Sequence, residues 1–271
     1  MNTQLFIKKT YLANPWIYFL ATYLWSWSFF GLTYWLGLNG ENTAIGSILV
    51  FLALSGPAVM AMIFIHIALD KTGQKDYWRR IIDYKRIPLK WYSIIVLFVP
   101  TFSIIAALLS HYWSSPLFFV NRLPSLWLLI LVVPLAPILE ELGWRGYVLD
   151  RLQEKYSALS SSLILGVLWF FWHVPAFFFP GGMLGVMPIA SLSFWLYAIT
   201  LVILSVYFTW IYNNTNRSTL AAILFHIMIE FSANAGLIPF DQPEHLYNVV
   251  LLLIIAIGIT VVYGARTLKK D

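Results

Sequence analysis

Apolar residues along this chain gather into eight long runs, at 15–38, 45–69, 91–110, 125–143, 158–179, 191–212, 218–235 and 246–265. None of them alternates apolar and polar side chains at every second position, as the strands of a membrane β-barrel must. Each is close to the ~20 residues an α-helix needs to cross the hydrocarbon core. In lipid only helices and closed barrels satisfy their own backbone groups. The pattern therefore predicts an all-α fold: a polytopic membrane helical bundle of about eight transmembrane helices, in one integral membrane domain over residues 1–271. The first run, Pro15 to Leu38, is too long for the core of a cleavable signal and reads as a span. No internal repeat or low-complexity segment breaks the pattern.

Composition agrees. Apolar residues make up 60% of the chain and charged residues 11%, against roughly 45–50% and ~25% in soluble domains. With no cysteine, disulfides, thiolate metal sites and a cysteine nucleophile are excluded. The net charge of +5 reads as topology rather than nucleic-acid binding. Sixteen of the seventeen Lys and Arg residues fall on one side of an eight-span frame, and only Arg122 falls on the other. The positive-inside rule then puts both termini in the cytoplasm. The basic 70–90 segment, with Tyr77, Trp78, Ile81, Ile82 and Tyr84 among its charges, reads equally as an interfacial helix on the anionic leaflet or as a solvated loop.

Three carboxylates and three histidines stand where few charges belong: Glu140 and Glu141 in the fourth run, Glu230 in the seventh, and His66, His173 and His226. A charge near the bilayer centre costs at least ~2.5–3.5 kcal/mol, so it is rarely kept without a use. His66, alone in its span, reads as a packed or pore-lining residue. His111 and His245 read as solvated groups in outer loops, and Phe177, Phe178 and Phe179 as packing.

Chain arithmetic brings the others together. If the helix holding Glu140 continues through Arg145, Asp150 and Glu154 and turns near Tyr156, Glu140 lies 16 residues before the turn and His173 17 after it. At 1.5 Å per residue both are about 24 Å from the turn. His226, eight residues past Ser218, reaches the same layer. Glu141 and Arg145 are i and i+4 in the favourable order for a helical ion pair, which leaves Glu140 on another face. Pro137 and Pro175 are expected to kink their spans. His226, Glu230 and Asn234 share a helix face.

A desolvated glutamate beside two imidazoles, with no nucleophilic side chain, suits activation of water. Glu140 takes the proton, and a histidine stabilises the oxyanion or protonates the leaving amine. Alternatively Glu140, His173 and His226 ligate a zinc ion; the cofactor is thus either none or zinc. Other intramembrane protease patterns are absent: there is no H-E-x-x-H, no aspartate in any run, and no glycine-flanked serine paired with a buried histidine.

Residues Glu140-Glu141-Leu142-Gly143-Trp144-Arg145-Gly146 read E-E-x-x-x-R-G, with Trp169-x-x-x-His173 and His226-x-x-x-Glu230 further along the chain. Together these resemble the CPBP family: the type 2 CAAX prenyl endopeptidases and the bacteriocin-processing ("Abi") intramembrane proteases, which are eight-helix membrane proteases described as glutamate-dependent or as metalloproteases. The resemblance covers a catalytic core of roughly 125–235. It implies that Glu140 activates water, that Glu141 is the second motif glutamate and Arg145 its structural partner, and that His173 and His226 are the histidines of the second and third motifs. Two positions depart from the family pattern. Trp169 stands where Phe is usual. Glu230 stands where Asn or Asp is usual, and an ionised Glu cannot donate to an oxyanion as an Asn can, which opens that role to Asn234.

The resemblance implies an intramembrane endopeptidase acting on a membrane-associated or lipid-tailed (CAAX-type) protein or peptide, with the bilayer as its other partner and no nucleic acid. The modest chain length points to a bacterial cell membrane. Two rivals use the same residues: a non-catalytic regulatory or bacteriocin-immunity protein of this fold, and a small proton pathway.

Overall fold

A computed structural model describes residues 13–38, 43–113, 133–178, 184–185, 187–235, 238 and 245–270. Those residues form an all-helical bundle. In chain order the helices are α1 (Pro15–Trp35), α2 (Ala44–Leu54), α3 (Gly56–Ala68), α4 (Lys71–Ile82), α5 (Leu89–Trp113), α6 (Leu135–Gly143), α7 (Leu149–Gln153), α8 (Ala158–His173), α9 (Leu192–Asn214), α10 (Thr219–Asn234) and α11 (His245–Tyr263). Among the described residues four segments are long and apolar enough to cross a membrane by themselves: Leu89–Ala106, Ala158–Phe178, Leu192–Asn214 and His245–Tyr263. The pair α2 and α3, bent by 46° at Ser55, makes a fifth. The chain is an integral membrane protein. The first half of the predicted fourth span, the loop holding Arg122, and Phe179 lie outside the described residues.

The helix starts obey local rules. Asn14, Thr43, Asp70, Ser157, Ser191 and Ser218 each accept a backbone N–H from the first turn of the adjoining helix, satisfying a donor that would otherwise be orphaned. The 70–90 segment is a helix, α4, followed by a short 3₁₀ turn at Tyr84–Arg86. It is not merely a solvated loop: Tyr77 and Arg80 are buried in the bundle.

The helix that holds Glu140 continues beyond it, as expected, but not as a uniform α-helix. A π-helical stretch, Trp144–Val148, joins α6 to α7. Its wider turn rotates the downstream residues by up to ~100° relative to an α-helix. Nothing in the spacing of apolar residues announces it. Pro137 sits in the first turn of α6 as described, where its missing N–H costs no helical bond; most of the run before it lies outside the described residues. Pro175 does break its span: α8 ends at His173 and the chain goes on as a 3₁₀ segment, Val174–Phe178.

Lipid offers helices no hydrophobic reason to associate, so close packing and interhelical hydrogen bonds must hold the bundle. Gly143 lies so close to α3 that an added Cβ would stand 2.6 Å from the Pro57 carbonyl, which itself accepts the Tyr18 hydroxyl at 2.9 Å. A Cβ on Gly166 would stand 2.6 Å from Cα of Val202, so α8 and α9 meet almost backbone to backbone. The Trp172 indole donates to Ser26 Oγ at 2.8 Å, tying α8 to α1.

The basic end of the bundle is closed by a buried ion network. Asp150 pairs with Arg80 at 2.7 Å and with Arg217, and accepts the Tyr212 hydroxyl at 3.1 Å. Burial pushes the Asp150 carboxyl up, but Arg217 and Arg80 outweigh burial and hold it well below the usual carboxylate range. Arg80 also reaches the Gly146 carbonyl at 3.2 Å, fastening α4 to the π-helical stretch.

Candidate active site

The candidate residues converge from α6, α8 and α10. Glu140 is 4% exposed, His226 3%, and Glu141 and Arg145 0%. His173, at the end of α8, is partly exposed, so the cluster reaches the surface along that edge.

Glu141 and Arg145 form the expected i, i+4 pair, with one guanidinium nitrogen 2.8 and 3.1 Å from the two carboxylate oxygens. The guanidinium lies over the Phe208 ring at 3.8 Å and also reaches Ser205 Oγ at 3.4 Å. A buried pair must be further hydrogen-bonded to offset its desolvation. Glu141 does this by accepting His226 Nδ1–H at 2.9 Å. Glu141 therefore does more than hold its own helix, because it fixes an imidazole from α10.

Both histidine tautomers are set by their partners. His173 Nδ1 lies 2.8 Å from the Trp169 carbonyl, and a carbonyl can only accept, so Nδ1 carries the proton. His226 Nδ1 faces a carboxylate paired with arginine and likewise donates. In each neutral ring the Nε2 lone pair is left for a reacting group.

Glu140 is not left unpartnered. The Trp169 indole donates to its Oε2 at 2.6 Å, and the Trp144 indole donates to the same oxygen at 3.3 Å. Trp169 also lies between the imidazoles, its ring centroid 5.8 Å from His173 and 5.4 Å from His226. It is the residue through which α6, α8 and α10 meet. Sequence reasoning noted Trp169 only as a mild departure from the family motif, and missed Trp144. The available signal was that each is spaced i, i+4 with a site residue: Trp144 with Glu140, and Trp169 with His173.

Other candidates fall elsewhere. Glu230 is half-buried one turn beyond His226, and Asn234 is exposed with its side-chain amide donating to the Glu230 carbonyl oxygen at 2.8 Å. Asn234 is thus turned back on its own helix rather than into the cluster. His66 is exposed in the last turn of α3, not packed in a core. His245 is fully buried at the start of α11, with Nε2 2.9 Å from Thr200 Oγ1. The expectation of a solvated loop residue fails because the first turn of α11 packs against α9, which puts His245 beside Thr200. The side chain of His111 lies outside the described residues. Phe177 packs among Phe170, Phe194 and Tyr197 as expected, whereas Phe178 is exposed on the bundle surface.

A three-ligand zinc site does not fit this arrangement. Among the described residues no three His, Asp or Glu side chains are gathered to hold an ion. Glu140 Oε2 is occupied by two indoles, which are donors only. Glu141 is committed to Arg145 and His226.

Fold and site define a class: a polytopic helical membrane protein with a buried glutamate, two orientated imidazoles and an internal ion pair. The family model for type II CAAX prenyl endopeptidase Rce1-like proteins matches residues 122–232, the stretch that contains every residue of the cluster. The chain is 26% identical over 264 residues to CAAX prenyl protease 2 of Methanococcus maripaludis, covering 93% of this chain and 94% of that protein. Both findings bear out the resemblance to the CPBP family and its type II CAAX prenyl endopeptidases, and the curated relative is archaeal.

Proposed function

We propose that this protein is an intramembrane endopeptidase that hydrolyses a peptide bond in a membrane-associated, lipid-tailed protein or peptide of CAAX type. The similarity to the Methanococcus maripaludis prenyl protease supports the reaction class. The observation that carries the mechanism is a buried carboxylate steadied on one oxygen by two indoles, one of which packs against two imidazoles that are each engaged through Nδ1.

In this reading Glu140 is the general base. With both indoles on Oε2, Oε1 is the oxygen that takes a proton from water. The resulting hydroxide adds to the scissile carbonyl carbon. Glu140 then returns the proton to the leaving nitrogen as the C–N bond breaks, which balances the hydrolysis. One of His173 and His226 orients the water by accepting its second hydrogen at Nε2, and the other, when it already carries a proton on Nε2, donates to the oxyanion. Glu141 and Arg145 position His226. Residues 125–235 form the catalytic core, and the basic end of the bundle, with both termini, faces the cytoplasm by the positive-inside rule.

The test is cleavage of quenched peptides, prenylated and unprenylated, by the detergent-purified protein. Glu140→Gln should abolish cleavage while leaving thermal unfolding near that of the wild type, and a chelator should have no effect. Cleavage retained by the Gln variant would remove Glu140 from the mechanism. Loss of wild-type activity with chelator would replace the carboxylate-activated water by a metal.

A further inference from the structure

At the basic end of the bundle, where α8 begins, α9 ends and the chain leaves α11, lies a cleft of about 750 Å³. Its walls carry Lys155, Arg217, Arg266 and Lys269 against Asp150 and Glu154. Both carboxylates are already engaged: Asp150 by Arg80 and Arg217, and Glu154 by Arg151 at 2.7 Å. Lys155, Arg266 and Lys269 are exposed and form no ion pair among the described residues.

These cations do not dangle from a loose end. The N–H groups of Ala158 and Leu159 donate to the carbonyls of Arg266 and Ala265 at 2.9 and 3.0 Å. The side-chain amides of Asn213 and Asn214 hold the carbonyls of Thr267 and Leu268 at 2.8 and 2.7 Å. The Leu268 side chain is fully buried. The tail is a strap fastened across α8 and α9, and it carries Arg266 and Lys269 at fixed places on the cleft wall.

The same three helices border an open groove of about 630 Å³, apolar apart from Thr260, lined by Leu163 and Val167 of α8, Ile199 and Val202 of α9, and Leu253 and Ile257 of α11. Cleft and groove adjoin along the chain. Ser157 lines the first and Leu159 the second, and on the α11 side the groove ends at Val261, five residues before Arg266. A cluster of unpaired cations at the helix ends, set above an apolar groove in the membrane-spanning part, is complementary to an amphiphile with a phosphate head.

We propose that cleft and groove together form a binding site for an anionic phospholipid of the bilayer, with its phosphate among Lys155, Arg266 and Lys269 and an acyl chain along α8, α9 and α11. A soluble phosphate would use the cleft alone and a zwitterionic lipid chiefly the groove. The bound lipid would brace α8, the helix that ends in His173, against α9 and the strap. The proposal does not depend on the protease reading.

The test uses the full chain, delipidated in detergent, with melting followed by tryptophan fluorescence and lipid retention by native mass spectrometry. Phosphatidylglycerol, phosphatidylcholine and inorganic pyrophosphate are added separately. Phosphatidylglycerol should be retained and raise Tm at a concentration about tenfold or more below that needed for phosphatidylcholine, as expected for several cations facing one phosphate. Pyrophosphate should leave Tm unchanged. The triple variant K155Q/R266Q/K269Q should lose the preference for phosphatidylglycerol while keeping its lipid-free Tm. Leu163→Trp, which fills the groove from an exposed position, should weaken retention of both lipids. Equal response to both lipids, an undiminished preference in the triple variant, or stabilisation by pyrophosphate at comparable concentration would each overturn the proposal.

Discussion

The Glu141–Arg145 pair permits the most quantitative test of how the site is held together. Both side chains are wholly excluded from the surface, and the guanidinium makes two hydrogen bonds at 2.8 and 3.1 Å to the carboxylate. Breaking such a pair from one side leaves a lone charge in a low-dielectric interior, at about 3–5 kcal/mol. Glu141→Gln leaves Arg145 as that charge, and Arg145→Gln leaves Glu141. In the double variant neither charge of the pair remains, and two amides of similar size can hydrogen-bond to each other and to His226. Each single change should therefore cost about 3–5 kcal/mol, while the double change should fall about 2 kcal/mol or more short of their sum. The assay is equilibrium unfolding in mixed micelles, read by tryptophan fluorescence, for the wild type and three variants. Costs that add within about 0.5 kcal/mol would refute the coupling. Peptide cleavage by the same proteins separates stability from positioning. Because Glu141 holds His226 through Nδ1, Glu141→Gln should lower kcat even at temperatures where the variant is fully folded.

The geometry fixes three further outcomes. Gly166→Ala should destabilise the bundle by about 1–3 kcal/mol, since its Cβ would stand 2.6 Å from Cα of Val202; an unchanged unfolding curve would show that α8 and α9 are further apart. The Asp150 carboxyl is held below its unfolded value of ~3.9, so its contribution to stability is present above that pH and is lost as pH falls through the folded-state value. Between about pH 5 and pH 2 the stability of Asp150→Asn should therefore vary less steeply than that of the wild type, and parallel curves would contradict the network. Glu230→Asn, which supplies an amide donor one turn from His226, should retain or raise cleavage in the peptide assay; its abolition would assign the Glu230 carboxylate a role of its own.

The sequence alone determined whatever repeats along it or stands out against it. Long apolar runs without alternation determined the helical membrane class, because lipid allows few other ways to satisfy a backbone. Carboxylates within such runs are costly enough to be visible by contrast, so Glu140, Glu141, His173 and His226 were legible. The i, i+4 spacing of Glu141 and Arg145 announced their pair, and E-E-x-x-x-R-G carried the family resemblance. Tertiary structure decided the contacts those groups make. That Glu140 is steadied by Trp169 and Trp144, that His226 answers to Glu141, and that Asn234 turns away from the cluster all depend on how α6, α8 and α10 rotate about their axes. That rotation is set by the π-helical stretch after Gly143 and by glycine contacts between helices, neither of which has an apolar period to betray it. Nor could spacing place His245, buried where the first turn of α11 meets Thr200 of α9. The basic cleft had the same obscurity: its cations lie up to 114 residues apart in the chain, and only the strap brings them to one wall.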